Sequence, residues 1–116
     1  MQAASLPLDS QSGYLLIESR DPFESNDVGY YYELARGLQE SGNQVTLFLV
    51  QNAVFAARRS AKVPDLAALA SAGVTILADD FALKERGITK LCDAVHAAPI
   101  HVVVDRLEAG HMTLWH

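Results

Sequence analysis

Four short apolar runs, each followed by polar residues, set the pattern of this chain. They occupy residues 14–17, 45–50, 74–77 and 100–104. Because segments with helical spacing separate them, we predict that the runs are strands lying parallel in one sheet. The second run, VTLFLV, is almost wholly apolar, as is typical of a strand covered on both faces. The alternating segment HMTLW at residues 111–115 predicts an edge strand, whose direction the pattern leaves open because residues 106–110 are too few for a helical crossover.

The segments between the runs predict helices. The first begins after Asn26 or Asp27, either of which can cap it, and ends at Gly42. Its predicted buried stripe consists of Val28, Tyr31, Leu34, Ala35 and Leu38. Further helices are predicted at residues 52–59, 64–72, 83–86 and 90–97, the last of them capped by Thr89. We therefore predict an α/β fold, a small doubly wound and mostly parallel sheet of about five strands with helices on both faces.

The chain length bounds the organisation of the protein. A chain of 116 residues is sized for one domain, which we place at residues 13–116 after a disordered lead-in at residues 1–12. That lead-in lacks the basic and long apolar regions of a signal peptide, and no apolar run reaches the ~18 residues of a membrane helix. The single cysteine, Cys92, excludes an internal disulfide and suits a reducing compartment, so we expect a cytoplasmic protein without membrane contact.

The formal net charge of −5 argues against direct nucleic-acid binding, which needs clustered Lys and Arg. Arg58, Arg59 and Lys62 form the only basic cluster in the sequence, and we interpret it as the solvated end of a helix rather than a phosphate site. No Gly-rich loop follows the first strand, so we expect neither Rossmann nor P-loop nucleotide binding, and no cofactor.

Polar residues at the strand ends indicate where a ligand would bind. The carboxyl ends of parallel strands share one rim, and open α/β folds bind ligands at that rim. The predicted ligand-binding residues are Arg20, Asp21, Phe23, Gln51, Asn52, Asp79 and Asp80. Within this set, Arg20 would bind an anion, and Phe23 would close a pocket or contact a neighbouring subunit, although both also fit an ordinary surface loop.

Three of these residues have structural alternatives. Asn52 and Asp80 suit the caps of the helices that follow them, with Asp79 as an ordinary turn residue. Asp79 and Asp80, joined by Asp21 and Asp105, are also oxygen ligands of the kind that a divalent cation requires. Capping and turn roles are the simpler interpretation, so we predict no metal site.

Cys92 is the candidate catalytic residue. It lies three residues after Thr89, in the first turn of the predicted helix, where free amides would favour a thiolate. Against this, free cysteines usually serve as small buried hydrophobes, which leaves an inert Cys92 as the simpler interpretation.

Aromatic and imidazole side chains are interpreted as contacts rather than ligands. Tyr30, Tyr31 and Tyr32 cannot all point one way on a helix, so at least one should be partly exposed, as at subunit interfaces. The histidines do not show the i,i+4 pairing of a helical zinc motif, and surface or capping roles are expected for them. They are His96, His101, His111 and His116.

Two stretches resemble the DsrE/DsrF/DsrH-like family, which includes TusB and TusD. They are residues 32–54 (YELARGLQESGNQVTLFLVQNAV) and residues 74–88 (VTILADDFALKERGI), and the second is most similar to the DsrH/TusB branch. The resemblance implies a cytoplasmic α/β domain in a homo-oligomer, or in a hetero-oligomer with a related subunit. Family members with a known role often relay sulfur as a cysteine persulfide.

The sequence differs from the family pattern at the position of the carrier cysteine. The carrier cysteine of the DsrE/TusD branch lies just after the third strand, and the matching positions here are Leu77, Ala78 and Asp79. The chain is therefore expected to be an oligomeric component of sulfur relay or sulfur metabolism that lacks the usual carrier cysteine. The alternatives are a non-enzymatic small-ligand or metal-binding regulatory domain that uses the rim, and an enzyme with Cys92 as its nucleophile.

Overall fold

The computed structural model describes residues 13–116, and the lead-in predicted at residues 1–12 lies outside the described residues. The strands are β1 (Gly13–Glu18), β2 (Gln44–Leu49), β3 (Thr75–Asp79), β4 (Val95–Ala98) and β5 (Met112–Trp115). They form one sheet in the order β4-β3-β2-β1-β5, and every neighbouring pair is parallel. The predicted parallel α/β fold is confirmed, and the edge strand whose direction the sequence left open is also parallel.

The helices cover the two faces of the sheet unequally. They are α1 (Val28–Glu40), two 3₁₀ helices (Gln51–Ala57 and Arg59–Ala61), α2 (Pro64–Ser71), α3 (Asp80–Glu85) and α4 (His101–Glu108). On one face Leu16, Leu47 and Ile76 pack beneath α1, α2, α3 and the first 3₁₀ helix. Since side chains alternate along a strand, Leu15, Ile17 and Phe48 point to the other face, where Val102 and Val103 of α4 cover them.

Helix α1 buries the predicted side, except that Tyr32 is buried in place of Leu34. Val28, Tyr31 and Ala35 are buried as expected, but Tyr32 is buried as well and Leu34 is 41% exposed. Tyr30 is 79% exposed, which confirms that the three tyrosines cannot share one direction. The chain leaves the helix through Gly42, whose φ of +96° lies in the region that glycine adopts without a steric penalty.

The predicted fourth strand at residues 100–104 is wrong, because residues 101–104 belong to α4 and Ile100 is its N-cap. The valines at 102–104 have a local preference for strand, but such preferences depend on context. As a helix the segment packs Val102 and Val103 on the sheet while the chain crosses from β4 at one edge to β5 at the other. Asp105 therefore lies within a helix, where it pairs with His101 at 3.3 Å, and not at a strand end.

The helix predicted at residues 90–97 is also wrong, because β4 occupies residues 95–98. The residues before it bond to the 3₁₀ region instead of to one another. The amide of Cys92 donates to the carbonyl of Ala57 at 2.9 Å, and the amide of Arg59 donates to the carbonyl of Lys90 at 3.0 Å. These long-range bonds satisfy the backbone in an extended form and outweigh the helical spacing of Leu91 and Val95.

Within residues 13–116 no helix combines the length and the apolar character that crossing a lipid bilayer would require.

Candidate functional site

The predicted rim exists, and part of the predicted set meets there. Arg20, Asp21, Gln51 and Asn52 line one hollow of about 280 Å³, together with Ser19, Glu24 and Ser25. The loop after β1 is shaped by the Asp21 carboxylate, which accepts a hydrogen bond from the amide of Phe23 at 2.9 Å. Phe23 itself is exposed and does not line the hollow. Four of the seven predicted ligand-binding residues are thus brought together.

Glu18, at the end of β1, is a fully buried carboxylate beside this hollow. The ring Nδ1 of His116 lies 2.8 Å from its Oε1 and 3.0 Å from its Oε2, and the amide of Arg20 donates to Oε2 at 3.0 Å. A buried carboxylate needs such partners, because burial without them carries a large desolvation cost. Glu18 therefore connects the loop after β1, through Arg20, to His116, the residue after β5.

His116 is held on several sides. Its amide donates to the carbonyl of Ile17 at 2.8 Å, and its carbonyl accepts from the Ser19 amide at 3.0 Å and from the Ser19 hydroxyl at 2.9 Å. Its ring stacks on Tyr31 with 5.0 Å between the ring centroids and 27° between the planes. The imidazole is thus positioned against Glu18 while part of it remains exposed to solvent.

Two tyrosines of α1 lie in the same electrostatic environment. The hydroxyl of Tyr31 donates to the carbonyl of Leu114 at 2.8 Å, whereas the buried hydroxyl of Tyr32 has no hydrogen-bond partner among residues 13–116. Burial and the nearby carboxylate of Glu18 raise the pKa of Tyr31 well above its ordinary value. Burial raises the pKa of Tyr32 in the same direction, with contributions from the carboxylates of Glu18, Asp65 and Asp21.

Asn52 connects the rim to a second region. Its side-chain oxygen accepts hydrogen bonds from Arg86 Nε at 3.2 Å and from Arg86 Nη2 at 3.0 Å. The predicted alternative of Asn52 as the cap of the following helix is not observed, because the cap position is Val50. Asn52 therefore orients a guanidinium from a distant part of the chain.

Asp79 and Asp80 have structural roles at the start of α3. Asp79 is the N-cap, with its carboxylate accepting from the amide of Phe81 at 3.4 Å, and Asp80 is the first helical residue. The cap that the sequence assigned to Asp80 thus belongs to Asp79. Among residues 13–116 there is no group of three or more His, Cys, Asp and Glu side chains arranged to hold a metal ion.

Cys92 is partly buried and lies outside any helix, between the isolated bridge at Leu91 and β4. It borders a hollow of about 430 Å³ with Lys62, Val63 and Pro64 among its neighbours. The helix predicted around Cys92 does not form. Its first-turn amides, which were expected to favour a thiolate, are therefore not present as a group. A catalytic role for Cys92 stays a prediction.

Sequence reasoning missed Glu18 and His116 as site residues. A usable signal was present, because Glu18 is a charged residue that directly follows the first apolar run and precedes Ser19. A carboxylate inside a strand pattern requires a buried partner. Its partner could not be identified, since His116 lies 98 residues away and is brought there only by the pairing of β1 with β5.

Three solved structures are similar to this fold. MTH1491 from Methanobacterium thermoautotrophicum, a protein of unknown function, matches with a TM-score of 0.78 at 18% identity, covering 91% of this chain and 99% of its own. The YchN protein from E. coli matches with a TM-score of 0.73 at 22% identity, covering 90% and 99%. BT1422 from Bacteroides thetaiotaomicron, of unknown function, matches with a TM-score of 0.74 at 14% identity, covering 99% and 100%.

No family model matches the chain, and no curated protein matches it. YchN is a DsrE/DsrF-like protein, so the resemblance noted in the sequence is confirmed for the fold. Because the sequence identities to the three solved structures are 22% or less, the similarity concerns the fold alone.

Proposed function

We propose that this chain is an oligomeric DsrE-like component of sulfur relay or sulfur metabolism that does not use the usual carrier cysteine. The observation that carries the proposal is an exposed apolar surface formed by Ile100, Val104, Leu107 and Trp115, which we call the α4 surface. Their exposed fractions are 59%, 45%, 53% and 64%. Large apolar side chains grouped in this way are typical of subunit contacts.

The geometry of the α4 surface supports a partner rather than chance exposure. Residues 100, 104 and 107 follow the i, i+4, i+7 spacing of one helix side, which flanks the side that packs Val102 and Val103 on the sheet. Trp115 pairs in register with Ile17, so its side chain lies on the same face of the sheet as α4. The occupant we propose is a second copy of this chain, and a related subunit is the alternative outcome.

The oligomer is tested by light scattering after size exclusion. We expect the wild-type chain to be larger than a monomer and the double variant Val104→Asp with Leu107→Asp to be monomeric. Phe81→Asp is the control, because Phe81 is also a large exposed apolar residue but lies on α3. A wild-type monomer at high concentration would count against self-association, and a larger species formed only with a DsrE-like carrier subunit would identify the related-subunit form.

The proposed sulfur role rests on the family resemblance. The positions that match the carrier cysteine are Leu77, Ala78 and Asp79, and Asp79 caps a helix. Intact mass after incubation with a cysteine desulfurase and cysteine should show no stable gain of a sulfur atom. The rate of persulfide transfer from a cysteine-bearing DsrE-like subunit should instead rise when this chain is added. A sulfur gain that disappears in Cys92→Ser would show that Cys92 is a carrier, and an unchanged transfer rate would remove the sulfur role.

A second candidate is non-enzymatic binding of a small ligand at the rim hollow. It is favoured by the arrangement of Arg20, Gln51 and Asn52 around one hollow, and by the hydrogen bond that the Arg20 amide donates to the buried Glu18. Amide chemical shifts of Ser19 and Gln51 should move when small carboxylates are titrated, and the change should be lost in Arg20→Ala. A set of carboxylates that moves neither amide would count against this candidate.

A further inference from the structure

A second hollow, of about 480 Å³, gathers most of the positive charge of an acidic chain. Arg58, Arg59, Lys62, Arg86 and Lys90 line it, which is five of the nine Lys and Arg residues in the sequence. Arg58 lies at the end of the first 3₁₀ helix, as expected for this cluster, and Arg58, Arg59 and Lys62 also form one wall of the hollow. Arg86 and Lys90 could not be added from the sequence, because they reach the site only through the packing of α3 against the 3₁₀ region.

The walls of this basic hollow are fixed by specific contacts. The guanidinium carbons of Arg58 and Arg86 lie 5.2 Å and 5.8 Å from the ring centroid of Phe55. Arg58 Nε donates to the Phe55 carbonyl at 2.8 Å, and Asn52 holds Arg86. Such contacts restrict the two side chains before any ligand arrives, which reduces the entropy lost on binding.

The two segments that carry the cations are also joined through their backbones. Arg58 forms an isolated antiparallel bridge with Leu91, and the amide of Arg59 donates to the carbonyl of Lys90 at 3.0 Å. The cations thus come from two chain segments that are hydrogen-bonded together. The hollow is part of the folded framework rather than a gap between independent loops.

Four of the five cations in this hollow have no carboxylate partner among residues 13–116. Arg20, Arg36 and Arg86 have carboxylate partners at 3.8 Å, 3.4 Å and 3.6 Å, respectively. In contrast, Arg58, Arg59, Lys62 and Lys90 have no carboxylate within 4.0 Å among residues 13–116. Like charges gathered around one cavity repel, and an anion between them would relieve that repulsion.

We propose that the basic hollow binds a small organic molecule bearing a phosphate group. Guanidinium and ammonium donors suit phosphate oxygens, and the hydroxyls of Ser60 and Thr89 add neutral donors. Ile88 and Phe55 give the hollow an apolar part that would contact the organic portion of the ligand. The volume falls within the range of small-molecule pockets. The net charge of −5 argues against a nucleic-acid backbone as the ligand.

Calorimetric titration at low ionic strength tests the proposal with pyrophosphate, ribose 5-phosphate and AMP as probes. We expect all three to bind the full chain, with AMP and ribose 5-phosphate indicating whether a base or only a sugar contacts the apolar part. The double variant Arg59→Gln with Lys90→Gln should weaken binding roughly tenfold or more, because it removes two charges that face the anion. Arg36→Gln, which removes a charge on α1, should leave binding unchanged.

Two measurements keep the test decisive. Thermal melts of the variants establish that they remain folded, and amide shifts of Ile88 and Thr89 should move on titration with AMP. Absence of binding for all three probes at millimolar concentration would overturn the proposal, as would equal affinity in the double variant. Tighter binding of an oligoglutamate peptide than of any phosphate probe would overturn it in favour of an acidic protein partner.

Discussion

Glu18 Oε1 lies 2.8 Å from His116 Nδ1, although the two residues are 98 positions apart in the chain. The contact joins the end of the interior strand β1 to the residue that follows the edge strand β5. The carboxylate is fully buried while the imidazole is partly exposed, so the pair sits where the interior of the sheet meets the rim. Its first consequence is for stability, because a buried carboxylate depends on the donors that surround it.

Removing the imidazole should destabilise the fold. In His116→Ala the carboxylate of Glu18 keeps the amide of Arg20 but loses its side-chain partner. The free energy of unfolding should fall by about 2 kcal/mol, the scale of a hydrogen bond to a charged group. Urea unfolding at pH 7 measures this, with His101→Ala on the exposed side of α4 as the control.

A double-mutant cycle separates the pair from simple loss of packing. Glu18→Gln removes the carboxylate that loses its side-chain partner in His116→Ala, so the effects of the two substitutions should be less than additive. Strict additivity would mean that the contact between these side chains contributes nothing to stability.

Tyr31 and Tyr32 form a natural matched pair for testing buried hydroxyls at neutral pH. Tyr31→Phe loses the hydrogen bond to the carbonyl of Leu114 and should lower the free energy of unfolding by about 1 kcal/mol. Tyr32→Phe removes a buried hydroxyl without a partner among residues 13–116, and stability should stay the same or rise by about 1 kcal/mol. Chemical unfolding of the two variants side by side gives the comparison, and equal losses would contradict it.

The raised pKa values of these tyrosines predict a stability loss in alkali. A tyrosine in the unfolded chain loses its proton near pH 10, whereas burial and Glu18 keep both hydroxyls protonated in the fold above that pH. Above pH 10 the unfolded chain therefore binds fewer protons than the folded chain, so the free energy of unfolding falls as pH rises. The stabilisation is fully present below pH 10.

Urea unfolding from pH 8 to pH 11.5 measures this slope. Tyr32→Phe should make the decline above about pH 10 shallower, because one shifted group has been removed. Tyr30→Phe is the matched control, since Tyr30 is exposed on the same helix. A decline equally steep in Tyr32→Phe and wild type would show that Tyr32 is not responsible.

The alternation of apolar runs was sufficient to predict β1, β2, β3 and β5, because each run is bounded by polar residues or glycine. It failed where local and long-range preferences conflict. The segment before β4 bonds to the 3₁₀ region, and the valines of α4 serve as a helix side because the chain must cross the sheet. The rim residues Arg20 and Asn52 were predicted. The contacts of His116 with Glu18 and of Arg86 with Asn52 were not, because no local pattern encodes them.

His111 predicts a second pH effect, at the acidic end. Its ring lies against Gly13, so closely that a Cβ at that position would collide with it, and its Nδ1 is buried without a partner among residues 13–116. Burial, and then the nearby cation of Arg106, lower the pKa of His111 below its ordinary value. The unfolded chain therefore takes up this proton first as pH falls below about 6.5, so acid should reduce stability.

The free energy of unfolding should thus be constant for this group above about pH 6.5 and should decline below it, until the folded chain also binds the proton. Urea unfolding between pH 7.5 and pH 5 measures the decline. His111→Gln should flatten that part of the profile whatever its effect at pH 7, and Arg106→Gln should reduce the slope by removing the second cause. An unchanged slope in His111→Gln would assign the acid sensitivity to other groups, because a glutamine at position 111 has no proton to take up in this range.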